Sequence, residues 1–164
     1  MNKLNLGRAN LLSPYSIRLE REKYVFVTDY DIVYSVEFEP YVGFGQDETY
    51  WFILSNQSHK PSPNDPKLRA TVICIIEEFF RVNEKVLLYI CDTANGLQAM
   101  RSRLFLRWFN GYAQKQKYDV RTAMIEDEGV ENYVSLIIRL SHPNYVEIIQ
   151  YFEETINLFK SNKP

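Results

Sequence analysis

The fold of this protein is decided by residues 85–97, which read KVLLYICDTANGL. Residues 86–91 form an apolar run without alternation, and such a run predicts a strand that is covered on both faces, inside a sheet. The polar turn that follows supplies a carboxylate, a hydroxyl, an amide and a glycine from Asp92, Thr93, Asn95 and Gly96. Because open α/β sheets bind ligands at the carboxyl ends of their strands, we expect any functional site to lie at this turn.

The sequence also predicts strands and helices before and after this unit. Four strands are predicted before it, at 15–20, 24–28, 32–38 and 49–54. Asp65 and Pro66 predict the start of a helix that runs to about Val82 and turns Glu77, Glu78 and Arg81 toward solvent. A second helix begins near Leu97, a hairpin follows at 119–126 and 132–140, and Ser141 or Asn144 caps a last helix.

The predicted order is ββββ-α-β-α-ββ-α. Four consecutive strands exclude a purely alternating α/β fold, so the sequence predicts one α+β domain over residues 14–164. Its sheet is expected to be mixed but largely antiparallel, with about seven strands and three helices. Residues 1–13 show no periodic pattern and are predicted to be a flexible arm.

Composition limits the class of protein. The 164 residues carry a formal net charge of −2, which gives no general attraction to nucleic acid or anionic lipid. No apolar run is long enough to span a bilayer, so no membrane partner is expected. The two cysteines form no CxxC pair, and this predicts a reducing cytoplasm. Twelve Tyr, ten Phe and two Trp predict an aromatic core, with some rings left for a contact surface.

Arg101 is the most informative charged residue, because it falls among apolar residues of the second helix. Burial of an unpaired guanidinium would cost several kcal/mol, so a partner is required. The first hypothesis is a structural ion pair with Asp92; an anion site that uses the amides of the turn and an arginine that reaches solvent are the alternatives. Together Asp92, Thr93, Asn95 and Arg101 form the predicted ligand-binding or structural polar cluster.

The second helix also supplies a candidate interface. Arg103 and Arg107, with Lys115 and Lys117, make a modest basic strip beside Trp108, which a solvated helix face explains better than nucleic-acid binding. Leu106 is predicted to point away from the helix's core stripe and would suit a weak homodimer. That stripe comprises Leu97, Met100, Leu104, Phe105, Trp108, Phe109 and Tyr112.

Residue patterns for catalysis or cofactor binding are missing from the sequence. His59 and His142 have no further ligand at metal-binding spacing, so neither a metal nor another cofactor is expected. There is no nucleophile elbow, and Cys91 fits a small core residue better than a nucleophile. No catalytic residue is therefore assigned.

Two stretches carry a resemblance to a known family. Residues 65–71 lead to 76–80 (DPKLRAT and IEEFF), and 89–92 lead through Gly96 and Arg101 to 105–109. They resemble an uncharacterised family of small bacterial proteins of unknown function. That resemblance implies no activity.

A looser similarity is topological. The order of elements, with Asn95, Ala99, Phe105 and residues 109–112, resembles the carboxyl-terminal two-thirds of GCN5-related N-acetyltransferases. Those enzymes hold coenzyme A pyrophosphate on a glycine-rich loop before the first helix. Here residues 61–66 read PSPNDP, with no glycine and three residues that lack an N–H, so acetyl-CoA is not expected to bind.

The function that the sequence favours is a non-catalytic binding or protein-interaction domain. Its expected partner is another protein or a second copy of the chain. The main alternative is a GNAT-like N-acyltransferase or a degenerate relative of one, and the third is a nucleic-acid accessory protein.

Overall fold

Asp65 caps the start of a long helix that ends at the middle of the chain. Its side chain accepts a hydrogen bond from the Lys67 N–H, and Pro66 occupies the first helical position. The helix then runs over Pro66–Val82 (α2), as the sequence predicted. The computed structural model describes residues 1–42, 49–90, 98–112 and 115–161, with the backbone alone at 98, 99 and 127.

Within these residues the protein is α+β, with one mixed sheet of seven strands, which confirms the predicted fold class. The sheet order is β1-β2-β3-β4-β5-β7-β6. The strands are β1 (Arg18–Glu20), β2 (Lys23–Val27), β3 (Val33–Tyr41), β4 (Thr49–Asn56), β5 (Val86–Ile90), β6 (Tyr118–Asp127) and β7 (Val130–Arg139). The other helices are α1 (Leu6–Leu12), α3 (Gln98–Asn110) and α4 (Tyr145–Ser161), and residues 115–117 form a 3₁₀ turn.

The predicted count of three helices was one too low. The additional helix is α1, which lies inside the segment that was expected to be a flexible arm. Asn5 caps it by accepting a hydrogen bond from the Arg8 N–H, and Leu4 and Ala9 are buried. A seven-residue helix is too short to show an apolar stripe, which is why periodicity did not reveal it.

The contacts divide the chain into two compact units, and the first comprises residues 1–39 and 52–84. Strands β1, β2 and β3 pair antiparallel, with Leu19 opposite Tyr24 and Tyr24 opposite Val36. The core of this unit is aromatic: Phe38 stacks on Phe79 of α2 with 4.7 Å between the ring centroids. Full burial of a side chain like Phe79 stabilises the fold by about 1.5–3 kcal/mol.

The second unit comprises residues 40–51 and 85–164. Its strands β5, β7 and β6 pair antiparallel, and the β6–β7 hairpin turns at Glu128 and Gly129, as predicted. Both turn residues have positive φ (49° and 78°), as a type I′ turn requires. Alternate residues of these strands face opposite helices. One face packs on α4 through a cluster that includes Val134, Leu136, Ile138, Ile149 and Phe152.

Helix α3 covers the other face of the same three strands. Phe105 stacks on Tyr89 with 4.2 Å between the centroids, and Phe109 meets Tyr118 edge-on at 5.7 Å. Strand β5 is therefore buried on both sides: Val86, Leu87 and Leu88 are each at most 2% exposed. This confirms the central strand that the unbroken apolar run predicted.

Candidate functional site

The predicted polar cluster is only partly within the described residues. Asp92, Thr93 and Asn95 lie outside them, so the structure does not place these side chains. Arg101 is described and is half-buried on α3. Its pairing with Asp92 therefore remains a prediction.

Helix α3 turns only part of its predicted core stripe toward the sheet. Ser102, Phe105 and Phe109 are its buried residues, whereas Met100 is 53% exposed and Leu104 is 41% exposed. The stripe predicted to contain Met100 and Leu104 was therefore partly wrong. Apolar residues occur on several sides of this helix, so their spacing alone did not define one buried face.

Leu106 also differs from its predicted orientation. It is half-buried, and it lies four residues after Ser102 and three before Phe109, on the side of the helix that meets the sheet. It is therefore not opposite the core. Among the described side chains of α3, the exposed apolar ones are instead Met100 and Leu104.

Four residues now define what we call the α3 outer surface: Met100, Arg103, Leu104 and Arg107. All four are exposed, and their spacing of i, i+3, i+4 and i+7 places them along one side of the helix. The two predicted interface arginines thus lie on the same side of the helix as an exposed apolar pair. Lys115 and Lys117, the rest of the predicted basic strip, are also exposed, and Trp108 is half-buried.

The charge of Arg103 also acts on Tyr133, a residue of strand β7. The Tyr133 hydroxyl donates a hydrogen bond to Glu131 Oε2 at 3.1 Å. That hydrogen bond is the main reason why the pKa of Tyr133 is raised, and the positive charge of Arg103 opposes the rise. Arg103 thus acts beside an aromatic ring and a carboxylate. Aromatic residues and arginines are both enriched at protein interfaces.

A buried carboxylate was missed by sequence reasoning. Glu78, predicted to face solvent, has a side chain only 4% exposed. It accepts hydrogen bonds from Arg81 at 2.8 Å and 2.6 Å and from the Asn5 N–H at 3.1 Å. The hydrogen bonds from Arg81 are the main cause of the lowered pKa of Glu78. Arg81 at i+3 was the only signal of this arrangement in the sequence.

A second polar cluster holds the start of α2. The Tyr15 hydroxyl donates to Asp65 Oδ2 at 2.8 Å, and Lys67 Nζ lies 2.6 Å from Asp29 Oδ2. Burial, together with the neighbouring carboxylates, raises the pKa of Tyr15 to about 12. A phenol with that pKa stays protonated near pH 7 and keeps its hydrogen bond to Asp65.

A third cluster joins strand β6 to helix α4. Tyr145 donates to Asp119 Oδ2 at 2.5 Å, and Arg121 Nε donates to the same oxygen at 2.9 Å. Arg121 also contacts Glu153 at 3.3 Å. Burial acts to raise the pKa of Asp119, but the two hydrogen bonds outweigh it and hold the pKa below its usual value. These groups satisfy one another and fix α4 on the sheet.

Nowhere in the described chain do three or more His, Cys, Asp or Glu side chains gather closely enough to hold a metal ion. Among the described helices, none combines the length and apolar character needed to cross a membrane.

Comparison with known proteins yields a family and no activity. None of the curated proteins and none of the solved structures matches the chain. A family model matches residues 64–154, which include α2, β5, α3, β6 and β7 and end within α4. Since this match covers more than half of the 164 residues, the chain belongs to DUF6169, a family of unknown function.

Proposed function

We propose that this protein is a non-catalytic interaction module whose α3 outer surface binds an acidic protein segment that carries apolar side chains. The observation that carries the proposal is the exposure of Met100 (53%) and Leu104 (41%) along the same side of α3 as Arg103 and Arg107. Met and Arg are enriched at protein interfaces, and flexible Met side chains adapt to different partners.

The charge of the surface selects the kind of partner. Two exposed arginines beside two apolar side chains complement a helical segment that carries Asp or Glu beside large apolar residues at i and i+4. Nucleic acid is a weaker fit, because stacking aromatics are expected between the cations and Trp108 is half-buried. The proposal includes a cytoplasmic location for the protein.

The polar clusters support the non-catalytic part of the proposal. Glu78, Asp119 and Asp65 each accept hydrogen bonds from neighbours in the same unit, so each carboxylate already has a structural role. An N-acyltransferase would also need amide donors for pyrophosphate at the start of α2. There Asp65 Oδ1 already accepts from the Lys67 N–H, and a carboxylate repels phosphate.

The proposal can be tested by selection of binding peptides from a displayed library of random helical segments. The wild-type protein should enrich acidic peptides with apolar residues at i and i+4. The double variant Arg103→Glu and Arg107→Glu should lose those peptides and select basic ones instead. A matched control changes exposed charges elsewhere, at Arg18→Glu and Lys160→Glu, and should keep the wild-type selection.

Two outcomes would overturn the proposal. One is the absence of any enriched peptide class for the wild-type protein. The other is an enriched class that binds the double α3 variant as well as it binds the wild type. In either case the α3 outer surface is not the binding site.

A further inference from the structure

Helix α4 has an exposed side that faces away from its core. Its buried residues, Ile148, Ile149, Phe152 and Ile156, lie on one side of the helix and pack on the sheet. Glutamates and apolar side chains alternate along the opposite side at i, i+4, i+7 and i+11. This α4 outer surface consists of Glu147, Tyr151, Glu154 and Leu158. All four residues are exposed, with Leu158 at 63% and Tyr151 at 44%.

The outer surfaces of α3 and α4 complement each other. The α3 outer surface presents two arginines with two apolar side chains, whereas the α4 outer surface presents two glutamates with two apolar side chains. Opposite charges beside apolar contacts favour association and select its orientation. Because an acidic helix is the partner that we propose for the α3 outer surface, this inference rests on the proposed function and names that partner.

The two surfaces of one copy cannot bind each other. Within the second unit, α3 and α4 pack on opposite faces of β5, β6 and β7, so their outer surfaces point in opposite directions. The partner helix must therefore come from another copy. Such a contact joins unlike surfaces, so each copy can bind one neighbour through α3 and a second through α4. Contacts of this kind build rings or filaments.

We infer that the α3 outer surface of one copy binds the α4 outer surface of another, with the two helices antiparallel. In this orientation apolar side chains meet, and each arginine meets a glutamate. The pairs are Met100 with the partner subunit's Leu158, Arg103 with the partner subunit's Glu154, and Arg107 with the partner subunit's Glu147. A helix rises about 1.5 Å per residue, so the glutamates lie about 10.5 Å apart and the arginines about 6 Å apart. The long arginine side chains span the difference.

Charge reversal on each surface tests the contact. The α3 variant carries Arg103→Glu and Arg107→Glu, and the α4 variant carries Glu147→Lys and Glu154→Lys. Sedimentation velocity at about 50 mM salt, from about 10 to about 500 µM, should show association of the wild type that increases with concentration. Each variant alone should associate at least about tenfold more weakly, because both of its outer surfaces then carry charge of the same sign.

A matched control changes two exposed glutamates in the other unit, Glu39→Lys and Glu84→Lys, and should associate like the wild type. Two recovery experiments then test whether the surfaces bind each other. In an equimolar mixture, the acidic α3 surface of one variant meets the basic α4 surface of the other, so association should return. A fourfold variant that combines both reversals should associate on its own. Circular dichroism verifies that each variant is folded.

Three outcomes would overturn the inference. The first is a wild type that stays monomeric throughout this range; the proposed function would still stand if the peptide selection enriched acidic, apolar helices. The second is an association that charge reversal on either surface leaves intact. The third is an equimolar mixture of the two folded variants that fails to associate.

Discussion

Replacement of Glu78 is the sharpest test of how this structure is held together. The carboxylate is buried, and it receives two hydrogen bonds from Arg81, one from the Asn5 N–H, and the charge of Arg8 at 3.8 Å. Glu78→Ala removes all of these contacts. Loss of one partner of a buried pair costs about 3–5 kcal/mol, but the Arg81 side chain is 38% exposed and water can solvate it afterwards.

We therefore expect a smaller loss of unfolding free energy, about 2–3 kcal/mol. This is the value of one charge-assisted hydrogen bond that water replaces only in part. Glu78→Gln keeps the shape and one acceptor oxygen, and should cost less than Glu78→Ala. Urea denaturation measures both values. Glu84→Gln, a nearby exposed glutamate, is the control and should stay within about 0.5 kcal/mol of the wild type.

The pH dependence gives an independent check. The pKa of Glu78 is lowered in the folded state, so the carboxylate stabilises the protein above its usual pKa and this contribution disappears as pH falls through the folded value. The difference in unfolding free energy between the wild type and Glu78→Gln should thus have its largest value at pH 7 and decrease below about pH 4.3. A gap that does not change with pH, or a Glu78→Ala cost below about 0.5 kcal/mol, would refute the buried-carboxylate reasoning.

Three further predictions concern other parts of the chain. Arg101→Ala should destabilise the protein by about 3–5 kcal/mol in urea denaturation if Arg101 pairs with a buried carboxylate, and a change below about 0.5 kcal/mol would exclude that role. Asp119→Asn should cost about 1.5–3 kcal/mol, because Tyr145 and Arg121 both donate to this carboxylate, and an unchanged urea midpoint would contradict this. Calorimetric titration with acetyl-CoA should show no saturable binding tighter than about 10 µM, because Asp65 already uses a donor at the start of α2; tighter binding would favour the N-acyltransferase alternative.

The sequence predicted the elements well where short-range signals agree. Asp65 followed by Pro66 marked the start of α2 to the residue, and the apolar run of β5 identified a central strand. The hairpin was predicted because a turn separates two strand-forming runs. In each of these cases local preference and tertiary packing favour the same structure.

The features that sequence reasoning missed depend on distant residues. Helix α1 is held by contacts from Asn5 and Arg8 to Glu78, and no pattern within seven residues can reveal such contacts. The burial of Glu78 was missed for the same reason. The face of α3 was misjudged because Met100 and Leu104 are apolar yet exposed, so hydrophobicity alone did not distinguish core from surface.

The hydrogen bonds that hold the amino-terminal segment have a consequence for biosynthesis. The Asn2 N–H donates to Asn83 Oδ1 across 81 positions, and the Asn5 N–H donates to Glu78 across 73. Ribosomes add about 5–20 residues per second, so residues 2–8 wait several seconds, at least, before these partners exist. Because the chain is made from its amino terminus, α2 must leave the ribosome before residues 2–8 can pack against it. Until then Leu4 remains accessible to chaperones.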